Sequence, residues 1–145
     1  MMKNNEMHLT FPAMSENEAL ARMCASAFAA QLNPTIEEIS DIRTAVSEAV
    51  TNSIIHGYNS KPLTIYLDAY ISDNELKIVV RDEGKGIDDI DLAMTPFYTT
   101  LPDGERSGMG FSVMQAFMDE LYVSSMPEMG TTVTMIKRIV RCEEE

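Results

Sequence analysis

Met7, Leu9 and Phe11 alternate with His8 and Thr10 until Pro12 interrupts the pattern, which predicts a short strand over residues 7–11. Ser15 and Glu18 have capping-box spacing, and Leu20, Met23, Cys24, Ala27 and Phe28 then recur at helical intervals towards Leu32. A first amphipathic helix is expected there. Beyond Asn33-Pro34, Thr35 and Glu38 form a second capping box. Ile36, Ile39, Ile42, Val46, Ala49, Val50 and Ile54 make the apolar stripe of a longer second helix, ended by Gly57. Leu63, Ile65, Leu67, Ala69 and Ile71 alternate with Thr64, Tyr66, Asp68 and Tyr70, Asp73-Asn74 mark a hairpin turn, and Leu76, Ile78 and Val80 carry the returning strand. Phe111, Val113, Met114, Phe117 and Met118 predict a third helix, followed by strands at about 120–125 and 131–138. Five strands and three helices without regular β-α-β alternation predict an α/β two-layer sandwich.

At 145 residues the chain is sized for one domain. Its 23 acidic and 11 basic residues leave a formal charge of −12, with no run of Lys or Arg, which argues against a phosphate-tracking nucleic-acid surface and favours a basic protein partner. No apolar stretch approaches the ~20 residues of a membrane span, and the first residues lack the apolar segment of a signal peptide, so a cytoplasmic location is expected. Cys24 and Cys142 are far apart and outside any C-x-x-C pair, so both are expected to be reduced thiols. His8 and His56 have no companions at metal-ligand spacing, and the 12 methionines mostly fall on apolar faces.

Four short constellations carry candidate chemistry. Glu48 and Asn52 lie four residues apart on one face of the second helix, at the flank of its apolar stripe. An Asn oxygen suits a hard cation such as Mg²⁺, and Glu can coordinate through water or accept a proton, although an exposed polar face has the same pattern. Asp82-Glu83-Gly84-Lys85-Gly86 ends a strand, where the glycines permit close approach of a ligand and Asp82 can accept a hydrogen bond from an amino group. Arg106-Ser107-Gly108-Met109-Gly110-Phe111 leads into the third helix, where backbone amides make an anion site. Gly130-Thr131-Thr132 opens the last strand, either as a plain bend or with a hydroxyl facing a pocket. The long Gly-, Pro- and Thr-rich stretch between the second and third constellations reads as a functional loop.

Taken in this order, the motifs resemble the ATP site of the gyrase, Hsp90, histidine-kinase and MutL superfamily. Within it, EMHL at 6–9, SENE at 15–18, VSEAVTN at 46–52, IIHGYN at 54–59, VRDEG at 80–84, ERSGMGF at 105–111 and FMDE at 117–120 resemble the anti-sigma F family of endospore-forming bacteria, which are serine kinases. The resemblance implies a Bergerat-type fold, with a mixed, mainly antiparallel sheet carrying helices on one face. It also implies a single domain over 1–145 and an ATP lid at 88–107.

By the same resemblance, Asn52 ligates Mg²⁺ between ATP phosphates, Asp82 recognises the adenine amino group, and Gly84 and Gly86 shape the adenine pocket. Ser107, Gly108, Met109 and Gly110 supply phosphate contacts, Arg106 neutralises the γ-phosphate, Thr131 borders the pocket and Glu48 matches the catalytic base. Thr100 fits either a phosphate contact or lid packing. The implied cofactors are ATP and Mg²⁺. The implied partners are sigma factor F, an anti-anti-sigma protein that accepts phosphate on serine, and a second copy in a homodimer. Competing expectations are a nucleotide-gated sigma-binding module without phosphoryl transfer, a stress-response anti-sigma relative, and a histidine-kinase ATP domain. The last is weakened because the fold starts near residue 7, which leaves no room for a phosphoacceptor hairpin before it.

Overall fold

A computed structural model describes residues 4–59, 61–87, 89–90 and 110–140. In chain order the elements are β1 (Asn4–Pro12), α1 (Ser15–Ala29) with a 3₁₀ turn (Ala30–Leu32), and α2 (Ile36–Asn52) with a π-helical turn (Ser53–Gly57). These are followed by β2 (Thr64–Ser72), β3 (Glu75–Asp82), α3 (Gly110–Phe117), β4 (Glu120–Met126) and β5 (Gly130–Arg138). The strands form one sheet in the order β1-β2-β3-β5-β4. A mixed, mainly antiparallel sheet is expected; the antiparallel character holds, and among the described residues all four pairings are antiparallel, with no parallel pair.

Register explains how the alternating pattern becomes two faces. Leu9, Leu67, Val80, Val133 and Val123 stand in one cross-strand row, and Met7, Ala69, Ile78, Met135 and Leu121 in another; both rows belong to the core beneath the helices. The intervening row, His8, Asp68, Val79, Thr134 and Tyr122, lies on the open face. Ile42, Val46 and Val50 of α2, Leu32, and Met114 of α3 are fully buried against Leu67, Ile78 and Met135 of the sheet. Burying each such side chain contributes roughly 1.5–3 kcal/mol.

The capping box of α2 forms as expected: Thr35 Oγ1 accepts from the Glu38 amide at 3.0 Å, and the Glu38 carboxylate accepts from the Thr35 amide at 2.8 Å. The one expected at Ser15 and Glu18 does not. Met14 is the N-cap of α1, Ser15 is already helical, and Glu18 instead pairs with Arg22 at 3.5 Å.

The buried face of α1 also differs from the expected one. Ala21, Ala25, Phe28 and Ala29 are buried, whereas Leu20 is 47% and Met23 62% exposed. Small residues on the inner stripe let α1 lie close against α2, and the bulkier Leu20 and Met23 are thereby turned outward. Glu18 and Arg22, on the same helix, are accordingly half-buried. Ile36, the first residue of the expected α2 stripe, is 90% exposed because it lies in the first turn, ahead of the point where Ile39 and Ile42 reach the core. Cys24 is a free thiol. No helix among the described residues is long and apolar enough to cross a membrane.

Candidate functional site

Asp82 ends β3 on the helix side of the sheet and is 3% exposed. Its Oδ1 accepts from the Gly84 amide at 2.9 Å and its Oδ2 from the Ser53 hydroxyl at 2.8 Å; the amide of Thr131, its register partner on β5, also donates to the carboxylate. Burial pushes this carboxyl above the usual carboxylate range, and the three donors oppose that push by stabilising the ionised form. A buried acceptor with most of its surroundings already fixed is well suited to reading a ligand's N–H group.

The π-helical turn sets the wall beside it. The Tyr58 amide donates to the Ser53 carbonyl, five residues back, at 2.9 Å, and this wider turn brings Gly57 against Asp82. The Lys85 amide then donates to the Gly57 carbonyl at 3.0 Å. A Cβ on Gly84 would sit 2.1 Å from that same carbonyl oxygen, so the close approach requires glycine. Tyr58, itself buried, donates through its hydroxyl to the Thr64 carbonyl at 2.6 Å and accepts from the Glu83 amide at 2.7 Å.

The far side of the loop is fastened to the β4–β5 hairpin. Gly86 has φ +77°, and a Cβ there would meet the Met126 carbonyl oxygen at 2.1 Å. The Ile87 amide donates to Ser125 Oγ at 2.7 Å, the Glu128 amide donates to the Lys85 carbonyl at 2.6 Å, and Ser125 Oγ lies 2.9 Å from Thr131 Oγ1. Thr131 thus meets Asp82 through its amide while its hydroxyl is engaged by Ser125.

Glu48 and Asn52 occupy successive turns at the end of α2, and both are partly buried. Asn52 faces the start of α3: a Cβ on Gly110 would lie 2.9 Å from Asn52 Nδ2, so the helix backbone closes directly on this amide. Glu48 also lines a cleft of about 460 Å³ with Arg22, Ile36, Ile39, Arg43 and Ser47, on the α1-facing side of α2. Asp82, Gly84, Gly86 and Thr131 are therefore brought together, and Asn52 and Gly110 meet, with Glu48 one helical turn before Asn52 on α2. Thr100, Arg106, Ser107, Gly108 and Met109, together with most of the expected lid, lie outside the described residues.

A family model described as the histidine kinase-like ATPase domain matches residues 11–137. A Thermoanaerobacter protein (strain X514) named anti-sigma F factor is 59% identical over 96% of this chain and 97% of its own length. One of the same name from Oceanobacillus iheyensis is 52% identical over 93% of each chain. This chain belongs to the anti-sigma F family. A Mycobacterium tuberculosis structure of RsbU and RsbW domains is 22% identical, with a TM-score of 0.70 over 95% of this chain, which spans 33% of that longer one. It supports the fold. The ATPase domain that this family member carries implies nucleotide binding.

Three residues of this anti-sigma F family member went unnoticed in the sequence. Ser53, Tyr58 and Ser125 each hold part of the Asp82 loop in place. Tyr58 had a readable signal, an aromatic directly after a helix-ending glycine; the two serines had none, because their partners are 29 and 38 positions away.

Proposed function

We propose that the chain is a Mg-ATP-dependent protein-serine kinase that also binds and inhibits sigma factor F. In this reading Asp82 receives the adenine amino group and Gly84 and Gly86 shape the base pocket, while Asn52 and Gly110 stand at the phosphate end. The observation that supports it is the run at the end of α2, where Glu48 stands one helical turn before Asn52, Asn52 meets the start of α3 at Gly110, and the adjoining Ser53 bonds to Asp82.

Mg²⁺ fits the residues present. Asn52 offers a hard amide oxygen next to a helix start, and Mg²⁺ is commonly held by one or two protein oxygens with substrate phosphates and water completing its shell. When bound, it would neutralise charge on the phosphates. Glu48 takes the proton of the acceptor serine as its oxygen forms the new bond to the γ-phosphorus and the bond to ADP breaks. Arg106 offsets charge on the transferring group. Thr100, Ser107, Gly108 and Met109 complete the phosphate contacts, and Thr131 supports Asp82 from β5.

The acceptor is an anti-anti-sigma protein, and the molecule works as a cytoplasmic homodimer without contacting nucleic acid or membrane directly. A surface charge of one dominant sign attracts basic patches of the sigma factor. In this reading Arg22 and its neighbour Glu18, an ion pair on α1, form part of the sigma-binding surface. Incubation with Mg-ATP radiolabelled at the γ-phosphate and a candidate anti-anti-sigma protein tests the reading. Label recovered as phosphoserine supports it. Sigma binding that depends on nucleotide, without label transfer, would replace it with a nucleotide-gated binding module.

A further inference from the structure

The hydroxyl of Ser53 is used by nothing in the phosphoryl-transfer reading, yet it is buried, with the residue 5% exposed, and donates to Asp82 Oδ2 at 2.8 Å. A serine near a helix end commonly bonds back to a carbonyl of its own helix. Here the hydroxyl instead crosses from the π-helical turn to the end of β3. Its backbone is fixed independently, because its carbonyl accepts from the Tyr58 amide at 2.9 Å.

Asp82 otherwise receives only main-chain donors among the described residues: Gly84 N–H on Oδ1, and Thr131 N–H. Those amides are set by the loop and the sheet register. Ser53 therefore supplies a side-chain donor to the carboxylate among the described residues, and it does so on the oxygen that the Gly84 amide leaves uncovered. With a donor on each oxygen, the carboxylate plane cannot rotate freely, and the lone pairs still available point in a defined direction.

We propose that Ser53 is a positioning residue for base selectivity, holding the Asp82 carboxylate in the orientation that accepts an exocyclic amino group of a bound purine. The inference rests on the reading of Asp82 as the residue that recognises the base. It names the feature of the ligand on which Ser53 acts. A serine that merely filled space would affect every nucleotide alike, whereas one that orients Asp82 affects only ligands whose amino group reaches that carboxylate.

The experiment compares calorimetric binding of ATP and of purine riboside triphosphate, which lacks the 6-amino group, to the full chain and to Ser53→Ala in the presence of Mg²⁺. Alanine removes the hydroxyl alone and is a strong helix former, and a thermal melt checks that the fold is kept. Ser53→Ala should weaken ATP about tenfold, the order expected for one lost hydrogen bond to a charged group, and leave purine riboside triphosphate unchanged. Equal losses for both ligands, or an unchanged affinity for ATP, would overturn the positioning role while leaving Asp82 as the base-recognising residue. If the parent chain bound ATP and purine riboside triphosphate equally, the Asp82 reading would fall and this inference with it.

Discussion

The amide of Lys85 donates to the carbonyl of Gly57 at 3.0 Å, so the loop that leaves Asp82 hangs from the end of α2. One helix thereby carries both the candidate base Glu48 near its C-terminal end and, a few residues on, the support for the Asp82 loop. A shift of α2 along its axis moves Glu48 and the Asp82 loop together.

Gly84→Ala tests that suspension. The added methyl would stand 2.1 Å from the Gly57 oxygen and 3.1 Å from Asp82 Oδ1, and the first of these contacts is with backbone that cannot swing aside. Destabilisation of about 1–3 kcal/mol is expected from such overpacking, together with loss of ATP affinity. Urea unfolding and calorimetry check it, and a parent-like midpoint would mean that the Gly57 carbonyl can move without cost.

Glu48→Gln should keep the fold and the affinity for ATP but slow phosphoryl transfer to the acceptor serine by about 10²- to 10⁴-fold, as for a lost general base. Single-turnover kinetics read this directly. A parent-like rate would remove Glu48 from the chemistry.

Arg22→Glu places two like charges one helical turn apart, where Arg22 now lies 3.5 Å from Glu18. The intrahelical pair itself is worth only about 0.3–0.5 kcal/mol, so melting should change little. Sigma factor F pull-down should weaken, most at low salt, with kinase turnover unaffected. Parent-like capture at every salt concentration would place the docking surface elsewhere.

His8 gives the fold a pH dependence with a definite sign. On the open sheet face its Nε2 lies 2.8 Å from Glu6 and its Nδ1 2.6 Å from Asp68, and the hydrogen bonds to these carboxylates, Glu6 first, raise its pKa above the ordinary 6.5. The folded state favours the protonated ring. Its contribution is fully present below pH 6.5 and is lost as pH rises through the folded value. His8→Gln should therefore lower the melting temperature relative to the parent in mildly acidic buffer, and the two curves should converge in alkaline buffer. A constant gap across that range would mean that the ring is not held as a cation.

Strand alternation and the Thr35–Glu38 box were legible because both depend on neighbours within a few residues. The inner face of α1 was not. Leu20 and Met23 dominate any reading by hydrophobicity, whereas the closeness of two packed helices selects Ala21 and Ala25. Asp82 could be read from its place at the end of an apolar strand followed by Gly84 and Gly86. What holds Asp82 could not, since Ser53 and Thr131 reach it only after the sheet register and the end of α2 are fixed.

The π-helical turn at Ser53–Gly57 has a consequence for which lengths of chain can be tolerated. Its five-residue hydrogen bond holds one residue more than an α-helical turn, and that residue sets the direction in which the Gly57 carbonyl points. Removing any one residue between Asn52 and Gly57 would swing that carbonyl around the helix axis by about 100° and drop the Lys85 amide. The five positions therefore act as a spacer of fixed count, intolerant of insertion or deletion whatever side chains fill it. The exposed residues 61–63 ahead of β2 take no part in that bond, so a change of length there is expected to leave the Lys85–Gly57 contact in place.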